Sequence, residues 1–164
     1  MVATWVPAYV ALGSNLDDPQ QQIRRALELL ASLPETRLVL TSRLYRTVPL
    51  GPQDQPEFIN AAAGLLTQLS ARDLLAHLKG IEASMGRASP TVRWGPRRID
   101  LDLLVHGNAQ INEDGLTVPH PGVPSRNFVL YPLLDIAPEL IVPGHGPVIS
   151  LARRVAAAGV VAVT

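Results

Sequence analysis

The last strand of the predicted fold begins inside the stretch Arg93-Trp94-Gly95-Pro96-Arg97-Arg98-Ile99-Asp100-Leu101-Asp102-Leu103-Leu104. Alternate residues of a strand share a face, so Asp100 and Asp102 project together while the leucines beside them pack behind. Two carboxylates placed in this way can share a pair of Mg²⁺ ions about 3.5–4 Å apart, as phosphoryl displacement requires. The alternative is that the acidic pair is only the solvated face of a half-buried sheet.

The residues before this strand favour phosphate binding. From Arg87 to Arg98 there are four arginines and no acidic residue, in a segment interrupted by glycine and proline. Arginine binds phosphate oxygens in a bidentate manner and keeps its charge at any physiological pH. We therefore interpret the arginine segment and the acidic strand as one site for a polyphosphate with its metal ions.

The composition limits the class of protein. The 164 residues, 47% of them hydrophobic, suffice for one continuous core, so we expect a single domain over residues 1–164. The absence of cysteine excludes disulfides, thiolate metal sites and thiol redox catalysis. Fourteen basic residues balance fourteen acidic ones, which disfavours nucleic acid and anionic membranes as partners. Since no basic segment with a long apolar run follows Met1, we expect a soluble, cytoplasmic protein.

The first part of the chain predicts a strand, a helix and a second strand. The apolar run from Tyr9 to Leu12 reads as a strand that ends in a turn at Gly13-Ser14-Asn15. A helix follows, with Asp18 as N-cap and Pro19 in its first position. Alternation predicts one continuous strand from Arg37 to Arg46.

The next part of the chain predicts a loop, a strand and a helix. A proline-rich loop from Thr47 to Pro56 leads to a strand over Phe58 to Leu66, and the loop is either a binding loop or a plain surface connection. The clearest helix follows, capped by Ser70 and stopped by Gly86. With the strand of Asp100, the order becomes strand, helix, strand, strand, helix, strand, which is the ferredoxin-like order.

The remaining residues predict helices for the second face of the sheet. One helix is expected from Ser125 to Ile136 and another after Ser150, while Ala156 to Thr164 is expected to fray. The predicted class is therefore α+β, a ferredoxin-like antiparallel sheet with helices on both faces in an α-β-α sandwich.

Aromatic and histidine side chains add candidate contacts. Phe58, Trp94 and Phe128 lie beside the candidate site segments, and flat rings on converging loops suit a flat ligand, although each phenylalanine could be an ordinary core residue. His120 lies between two prolines, where it could contact a phosphate or simply be a surface residue.

Several motifs together resemble those of the 6-hydroxymethyl-7,8-dihydropterin pyrophosphokinase family of the folate pathway, from about Tyr9 to Leu140. The matching motifs are Ala11-Leu12-Gly13-Ser14-Asn15-Leu16, Tyr45-Arg46-Thr47 with Leu50-Gly51-Pro52-Gln53-Asp54-Gln55-Pro56, Gly86-Arg87, Arg93-Trp94-Gly95-Pro96-Arg97 with Asp100-Leu101-Asp102, and Val118-Pro119-His120. The resemblance implies transfer of the terminal diphosphate of ATP to the hydroxymethyl group of a reduced pterin, with release of AMP.

The resemblance also implies roles for individual residues. Catalytic roles fall on Arg87, Arg97, Asp100 and Asp102, of which Asp100 and Asp102 would hold two Mg²⁺ ions. ATP contacts fall on Glu82, Arg87, Trp94, Arg97, Leu103, Thr117, His120 and Arg126. Pterin contacts fall on Thr47, Val48, Leu50, Phe58, Asn60, Trp94 and Phe128. Of these, Phe58 departs from the family pattern, which often has tyrosine there, as do Ser89, Pro90 and Pro121 in the loops.

Partners and alternatives follow from the same observations. We expect two small-molecule substrates, ATP and a reduced pterin. The protein is expected to be a monomer without nucleic-acid or membrane partners. The resemblance allows association with neighbouring folate enzymes. A two-metal nucleotidyltransferase or nuclease is disfavoured by the balanced charge. A non-catalytic ligand-binding module on the same fold remains the alternative of a different class.

Overall fold

The computed structural model of the chain describes residues 4–47, 57–86 and 98–163. In chain order the elements are β1 Val6–Ser14, α1 Pro19–Ala31, β2 Thr36–Thr41, β3 Tyr45–Thr47, β4 Phe58–Thr67, α2 Ala71–Ser84, β5 Asp100–His106, β6 Ile111–Glu113, β7 Leu116–Val118, α3 Asn127–Ile136, β8 Ile141–Val142, β9 Gly146–Pro147, α4 Val148–Arg153 and β10 Val160–Ala162. None of the helices in these ranges has the length and apolar character needed to cross a bilayer.

The main sheet is antiparallel and has the order β10-β3-β4-β1-β5, with β2 also paired to β4. β1 and β4 pair along their length, from Val6 opposite Thr67 to Ser14 opposite Ile59. β2 and β3 both pair with the edge of β4 that faces away from β1, each with a different end of it. Together they take the place of one strand. Apart from β10, this is the ferredoxin-like arrangement, and the predicted fold class is confirmed.

Helices cover both faces of the sheet because successive strand residues point to opposite sides. On one face, α1 and α2 bury apolar side chains against alternate residues of β1, such as Val10 and Leu12. On the other face, α3 and α4 form a second apolar cluster that includes Leu130 and Leu133. The later helices therefore complete the predicted α-β-α sandwich.

The ends of α2 follow from local sequence signals. Ser70 accepts a hydrogen bond from the backbone N–H of Asp73 at 3.1 Å, and so satisfies an N–H that the first helical turn leaves free. After the helix, Gly86 has φ of 88°, a left-handed conformation that glycine adopts at little cost. Both predicted ends of this helix are confirmed.

One prediction for the first half of the chain is wrong, and another is confirmed in position but not in mechanism. β1 continues through Gly13 and Ser14 rather than turning there, because β4 supplies pairing partners as far as Ile59. Asp18 stands at the N-cap of α1 but has φ of 61° and makes no side-chain cap bond, whereas Pro19 does begin the helix. Entry into α1 is thus set by a left-handed turn and not by the predicted side-chain cap.

The predicted strand from Arg37 to Arg46 is divided into β2 and β3. Its pairing with β4 is irregular between Leu38 and Leu40, and the simple alternation of faces is lost, since the side chain of Leu40 is exposed. The chain then leaves the ladder after Thr41, where the Ser42 hydroxyl accepts a hydrogen bond from the backbone N–H of Ala62 at 2.8 Å. The side chain of Ser42 takes over part of the pairing that a continuous strand would make.

The C-terminal predictions also need correction. The helix expected from near Ser125 to Ile136 is confirmed as Asn127–Ile136, whereas the one expected after Ser150 already begins at Val148 and ends at Arg153. The segment expected to fray contains β10, which pairs with β3 at the edge of the sheet. Side chains of α3 hold the residues before β10, and a local pattern cannot reveal such a tertiary contact.

A charged cluster joins α3 to the break between β2 and β3. The Arg43 guanidinium donates to both oxygens of Asp135, at 3.0 and 3.1 Å, and the Tyr45 hydroxyl donates to the same carboxylate at 2.8 Å. Burial and the bond to Asp135 raise the pKa of Tyr45 to about 12. Partial burial acts to raise the pKa of Asp135, but the hydrogen bonds from Arg43 and Tyr45 outweigh it, so this pKa lies below the ordinary 3.8.

We expect Asp135→Asn to lower the thermal stability in a pH-dependent way. Because folding lowers the pKa of Asp135, its contribution is complete well above pH 3.8 and is lost as the pH falls below that value. At neutral pH the Tm of the variant should lie about 2–4 °C below that of the unmodified protein, a small effect because the pair is partly exposed to solvent. Thermal unfolding followed by circular dichroism at several pH values measures this difference. Glu139→Gln, at an exposed acid just after α3, is the control, and an equal loss in both variants would contradict the assignment.

Candidate active site

The register of four strands brings the candidate residues to one end of one sheet face. Asp100 lies opposite Gly13, Gly13 opposite Asn60, and Asn60 opposite Tyr45. Residues that are directly opposite in an antiparallel sheet point to the same side, so this row faces the layer of α3. Asp102 lies two residues further along β5, opposite Ala11. The predicted common face of the two aspartates is thus present.

The pterin candidates on β3 and β4 share this face. Thr47 lies opposite Phe58 in the ladder, and the Asn60 amide donates a hydrogen bond to the Thr47 hydroxyl at 2.6 Å. Thr47 and Asn60 are buried, whereas Phe58 is half-buried. The bond fixes the Asn60 amide with its nitrogen towards Thr47, which leaves its oxygen directed towards β1.

Gly13 keeps the surface open between the acidic strand and Asn60. A Cβ atom at this position would lie 2.9 Å from Asn60 Oδ1 and 3.9 Å from Phe58 Cδ1. Any side chain here would therefore displace the Asn60 carbonyl or cover it. Position 13 therefore requires glycine because a larger residue would fill the space next to Asn60, and not because the backbone has an unusual angle there.

His120 belongs to the same cluster as the acidic strand. Its Nε2 lies 3.9 Å from Asp102 Oδ1, and the side chain of Asp102 is 46% exposed. His120 Nδ1 accepts a hydrogen bond from the backbone N–H of Gly122 at 2.9 Å, so the proton of the neutral ring resides on Nε2. Burial lowers the pKa of His120, and the positive charge of Arg126 lowers it further. The Asp102 carboxylate acts to raise this pKa but does not outweigh burial, so the pKa of His120 lies below its ordinary value. At neutral pH the ring is therefore an uncharged N–H donor.

Arg126 and Phe128 lie at the start of α3, next to this histidine. The guanidinium carbon of Arg126 is 5.9 Å from the centre of the Phe128 ring, which is a cation–π distance. A Cβ atom at Gly122 would lie 2.6 Å from Arg126 Nε, so this glycine provides the room in which the arginine side chain packs. The turn that orients His120 thus also accommodates Arg126.

Three predicted ATP contacts lie elsewhere in the fold. The Glu82 carboxylate is buried under β5 and accepts a hydrogen bond from the backbone N–H of Leu101 at 2.8 Å. The Leu103 side chain is part of the core beneath α1 and α2, so only its backbone could meet a ligand. Thr117 is exposed on the hairpin of β6 and β7. Their ATP contacts remain predictions.

Five further candidates lie outside the described residues. They are Val48, Leu50, Arg87, Trp94 and Arg97. Their assigned roles stay predictions from the resemblance.

The described acidic residues suit a metal that arrives with its substrate. No group of three or more histidine, aspartate or glutamate side chains in residues 4–47, 57–86 and 98–163 could hold a metal ion by itself. Mg²⁺ commonly binds through one or two carboxylates and completes its coordination with water and substrate phosphates. Asp100 and Asp102, half-exposed on one face, fit this donor set.

Two glycines are the site residues that sequence reasoning missed. Gly13 was expected in a turn and Gly122 was given no role, but each supplies space for a functional side chain. Position alone could not reveal this, because the neighbours of both glycines come from other parts of the fold. The hydrogen bond of Glu82 to the strand between the two aspartates was also not foreseen.

We expect Glu82→Ala to destabilise the protein, because it would leave the buried Leu101 N–H without its acceptor. The loss of unfolding free energy should be about 1–3 kcal/mol, the usual cost of a buried unsatisfied donor. Glu82→Gln retains an oxygen that can accept this bond and should lose less. Urea unfolding measures both values, with Glu28→Ala on the exposed face of α1 as control. Equal stability of Glu82→Ala and Glu28→Ala would contradict this structural role.

Comparison with known proteins identifies a matching family and related sequences. The sequence model of the family described as 7,8-dihydro-6-hydroxymethylpterin-pyrophosphokinase (HPPK) matches residues 9–138. Over 135 residues the chain is 52% identical to the 2-amino-4-hydroxy-6-hydroxymethyldihydropteridine pyrophosphokinase of Pseudomonas aeruginosa, covering 82% of this chain and 83% of that protein. Over 151 residues it is 44% identical to the enzyme of the same name from Haemophilus influenzae, covering 92% and 94%.

Solved structures show the same fold. A crystal structure of Plasmodium falciparum HPPK-DHPS with pterin and p-hydroxybenzoate superimposes with a TM-score of 0.72 at 15% identity, covering 93% of this chain. The chain spans 44% of the length of that solved chain. With a family match over most of its length and close relatives of similar size, the chain belongs to the 7,8-dihydro-6-hydroxymethylpterin-pyrophosphokinase family.

Proposed function

We propose that this protein transfers the β,γ-diphosphate of ATP, as one unit, to the hydroxymethyl group of 6-hydroxymethyl-7,8-dihydropterin in folate biosynthesis. The hydroxymethyl oxygen forms a bond to the β-phosphorus, and the bond from that phosphorus to the oxygen bridging to the α-phosphate breaks. AMP leaves with the bridging oxygen, and the hydroxyl proton is released. The observation that carries the proposal is the strand register that puts Asp100 and Asp102 on the same sheet face as Asn60 and Thr47, in a chain of this family.

Asp100 and Asp102 are the residues that would hold Mg²⁺ with the nucleotide. Their carboxylates share one face at the edge of the sheet, and the Asp102 side chain is open to solvent. Bound there, Mg²⁺ would offset the negative charge of the phosphates and help to align the reacting groups. Two ions, as the resemblance implies, are part of this proposal.

His120 and Arg126 would bind phosphate oxygens in different ways. Arg126 supplies a permanent positive charge with several N–H donors. His120 supplies one N–H from Nε2 and, with its lowered pKa, no charge. A neutral donor can hold an oxygen beside the Asp102 carboxylate without forming a competing ion pair with that acid. Arg87 and Arg97 would neutralise charge on the diphosphate as it moves.

The pterin would lie beside β3 and β4, near the start of α3. The rings of Phe58 and Phe128 would stack on its flat ring system, because aromatic faces bind flat heterocycles. Asn60 would accept a hydrogen bond through Oδ1, since its nitrogen already donates to Thr47. Trp94 and the backbone near Val48 and Leu50 would complete the contacts. The open surface above Gly13 then links the pterin to the acidic strand.

Several broader features belong to the same proposal. We infer a cytoplasmic, monomeric enzyme that uses small-molecule substrates and has the option of associating with neighbouring folate enzymes. Its balanced charge is consistent with a partner set that excludes nucleic acid and membrane. One catalytic domain over residues 1–164 is proposed on the same basis.

The products formed from ATP, Mg²⁺ and 6-hydroxymethyl-7,8-dihydropterin test the reaction directly. We expect AMP and a pterin diphosphate in equal amounts, and no AMP without the pterin. ADP would instead indicate transfer of one phosphoryl group. The lack of any nucleotide product from folded protein would favour a non-catalytic binding module.

Asp102→Asn tests the acidic site in the same assay. It keeps the side-chain shape but removes the negative charge, so we expect turnover to fall by at least about 100-fold while the circular dichroism spectrum stays unchanged. Asp114→Asn, in the exposed turn between β6 and β7, is the matched control and should retain full activity. Comparable activity of the Asp102 variant would contradict the role of the acidic pair.

Gly13→Ala tests the open surface beside Asn60. The added methyl group would meet Asn60 Oδ1 at 2.9 Å, so the amide must move away from Thr47 or from the pterin. We expect the KM for the pterin to rise about 10-fold, with a much smaller change in the KM for ATP. Gly80→Ala, on α2 with open space around it, is the control. A pterin KM equal to that of the control would show that Gly13 does not border the pterin.

A further inference from the structure

The chain beyond the family match folds back to the proposed pterin site. The family model matches residues 9–138, yet the structure continues through α4 to β10 at the edge of the main sheet. We name residues 152–163, from the end of α4 through β10, the C-terminal segment. Its contacts reach the two elements that carry Thr47 and Phe128.

At one end, the C-terminal segment pairs with β3. Val160 lies opposite Thr47 and Ala162 opposite Tyr45, and the backbone N–H of Val163 donates to the Leu44 carbonyl at 2.8 Å. β3 has three residues and pairs with β4 on its other side. β10 is therefore the second partner of the strand that presents Thr47, whose hydroxyl accepts the bond from Asn60.

At the other end, two side chains of α3 hold the same segment. The Asn127 amide donates to the carbonyls of Ala156 and Ala158, at 2.9 and 3.1 Å. The Tyr131 hydroxyl donates to the carbonyl of Val155 at 3.0 Å. Asn127 is the first residue of α3 and directly precedes Phe128, so these bonds attach the segment where the proposed stacking ring begins.

Core packing anchors the segment only at its start, where Ala152 and Val155 pack in the apolar cluster of α3 and α4. The side chains of Val161 and Val163 are 53% and 37% exposed. The segment is held mainly by hydrogen bonds to its backbone, which fix position rather than bury apolar surface. A surface strand with so little buried area contributes more to the relative placement of its two neighbours than to the core.

We infer that the C-terminal segment is a positioning element for the pterin. It spans from Asn127 and Tyr131 on α3 to β3, and thereby helps the direct bond between Tyr45 and Asp135 to set the separation between Phe128 and the hydrogen-bonded pair Thr47 and Asn60. This inference rests on the proposed function, because it assumes that these residues bind the pterin. The hydrogen bonds of the segment go to α3 and β3, on the proposed pterin side of the site, so the inference concerns binding of that substrate.

Paired proline variants test the β10 end in the full-length protein. In an antiparallel ladder, residue pairs that exchange backbone hydrogen bonds alternate with pairs that do not. Because Val163 donates to Leu44, the next hydrogen-bonded pair is Val161 with Arg46. Val161→Pro removes that N–H, whereas Ala162→Pro changes an N–H that faces the open edge of the sheet. We expect Val161→Pro to raise the KM for the pterin about 5- to 10-fold, with kcat and the KM for ATP within about twofold. Ala162→Pro should have a clearly smaller effect.

Asn127→Ala tests the other end and guards against a folding defect at β10. We expect it to raise the pterin KM in the same way, with Asn108→Ala at an exposed turn as control. Combining it with Val161→Pro should add little, because either change alone releases the same segment. Lower Tm values with unchanged pterin KM in both variants, or equal changes in the KM for both substrates, would overturn the inference. A lack of AMP formation by the unmodified protein would instead overturn the proposed function.

Discussion

The pairing of β1 with β4 is the constraint on which the rest of the structure depends. The two strands run side by side from Val6 and Thr67 to Ser14 and Ile59. A shift of one residue would turn every side chain of β1 to the opposite face, so the apolar residues that meet α1 and α2 would point at α3 instead. The same register places Gly13 between Asn60 and Asp100. Core packing and the geometry of the candidate site are therefore set by one choice of register.

Local patterns were sufficient for much of this fold. The cap at Ser70, the stop at Gly86 and the apolar spacing within α2 depend on residues close in sequence, and each was predictable. The division of β2 from β3 and the existence of β10 were not, because they depend on Ala62, Asp135 and Asn127, which lie far away along the chain. Irregular edges of a sheet are decided by such side-chain bonds to backbone groups, and periodicity carries no information about them.

The candidate site divides in the same way. The common face of Asp100 and Asp102 follows from strand alternation, and the structure has it. The proton position on His120 depends on the backbone N–H of Gly122, and the orientation of the Asn60 amide depends on Thr47. The buried bond from Leu101 to Glu82 depends on how α2 packs beneath β5. Residue types were readable from the sequence, whereas their protonation and orientation required the tertiary contacts.

The charges of the described site support the proposal that its chemistry uses additional cations. Asp100 and Asp102 contribute two negative charges, Arg126 contributes one positive charge, and His120 is neutral because burial lowers its pKa. Taken by themselves, these four groups carry a net negative charge, which opposes the approach of a nucleotide triphosphate. Under the proposed function, divalent cations between the carboxylates and the phosphates, together with the arginines proposed from residues 87–97, would make nucleotide binding favourable. A protonated His120 would relieve some of this repulsion, but it would also form an ion pair with Asp102 and so compete for the carboxylate that the cation needs. Under the proposed function, a neutral histidine beside the acidic pair leaves Asp102 available to a cation that arrives with the nucleotide.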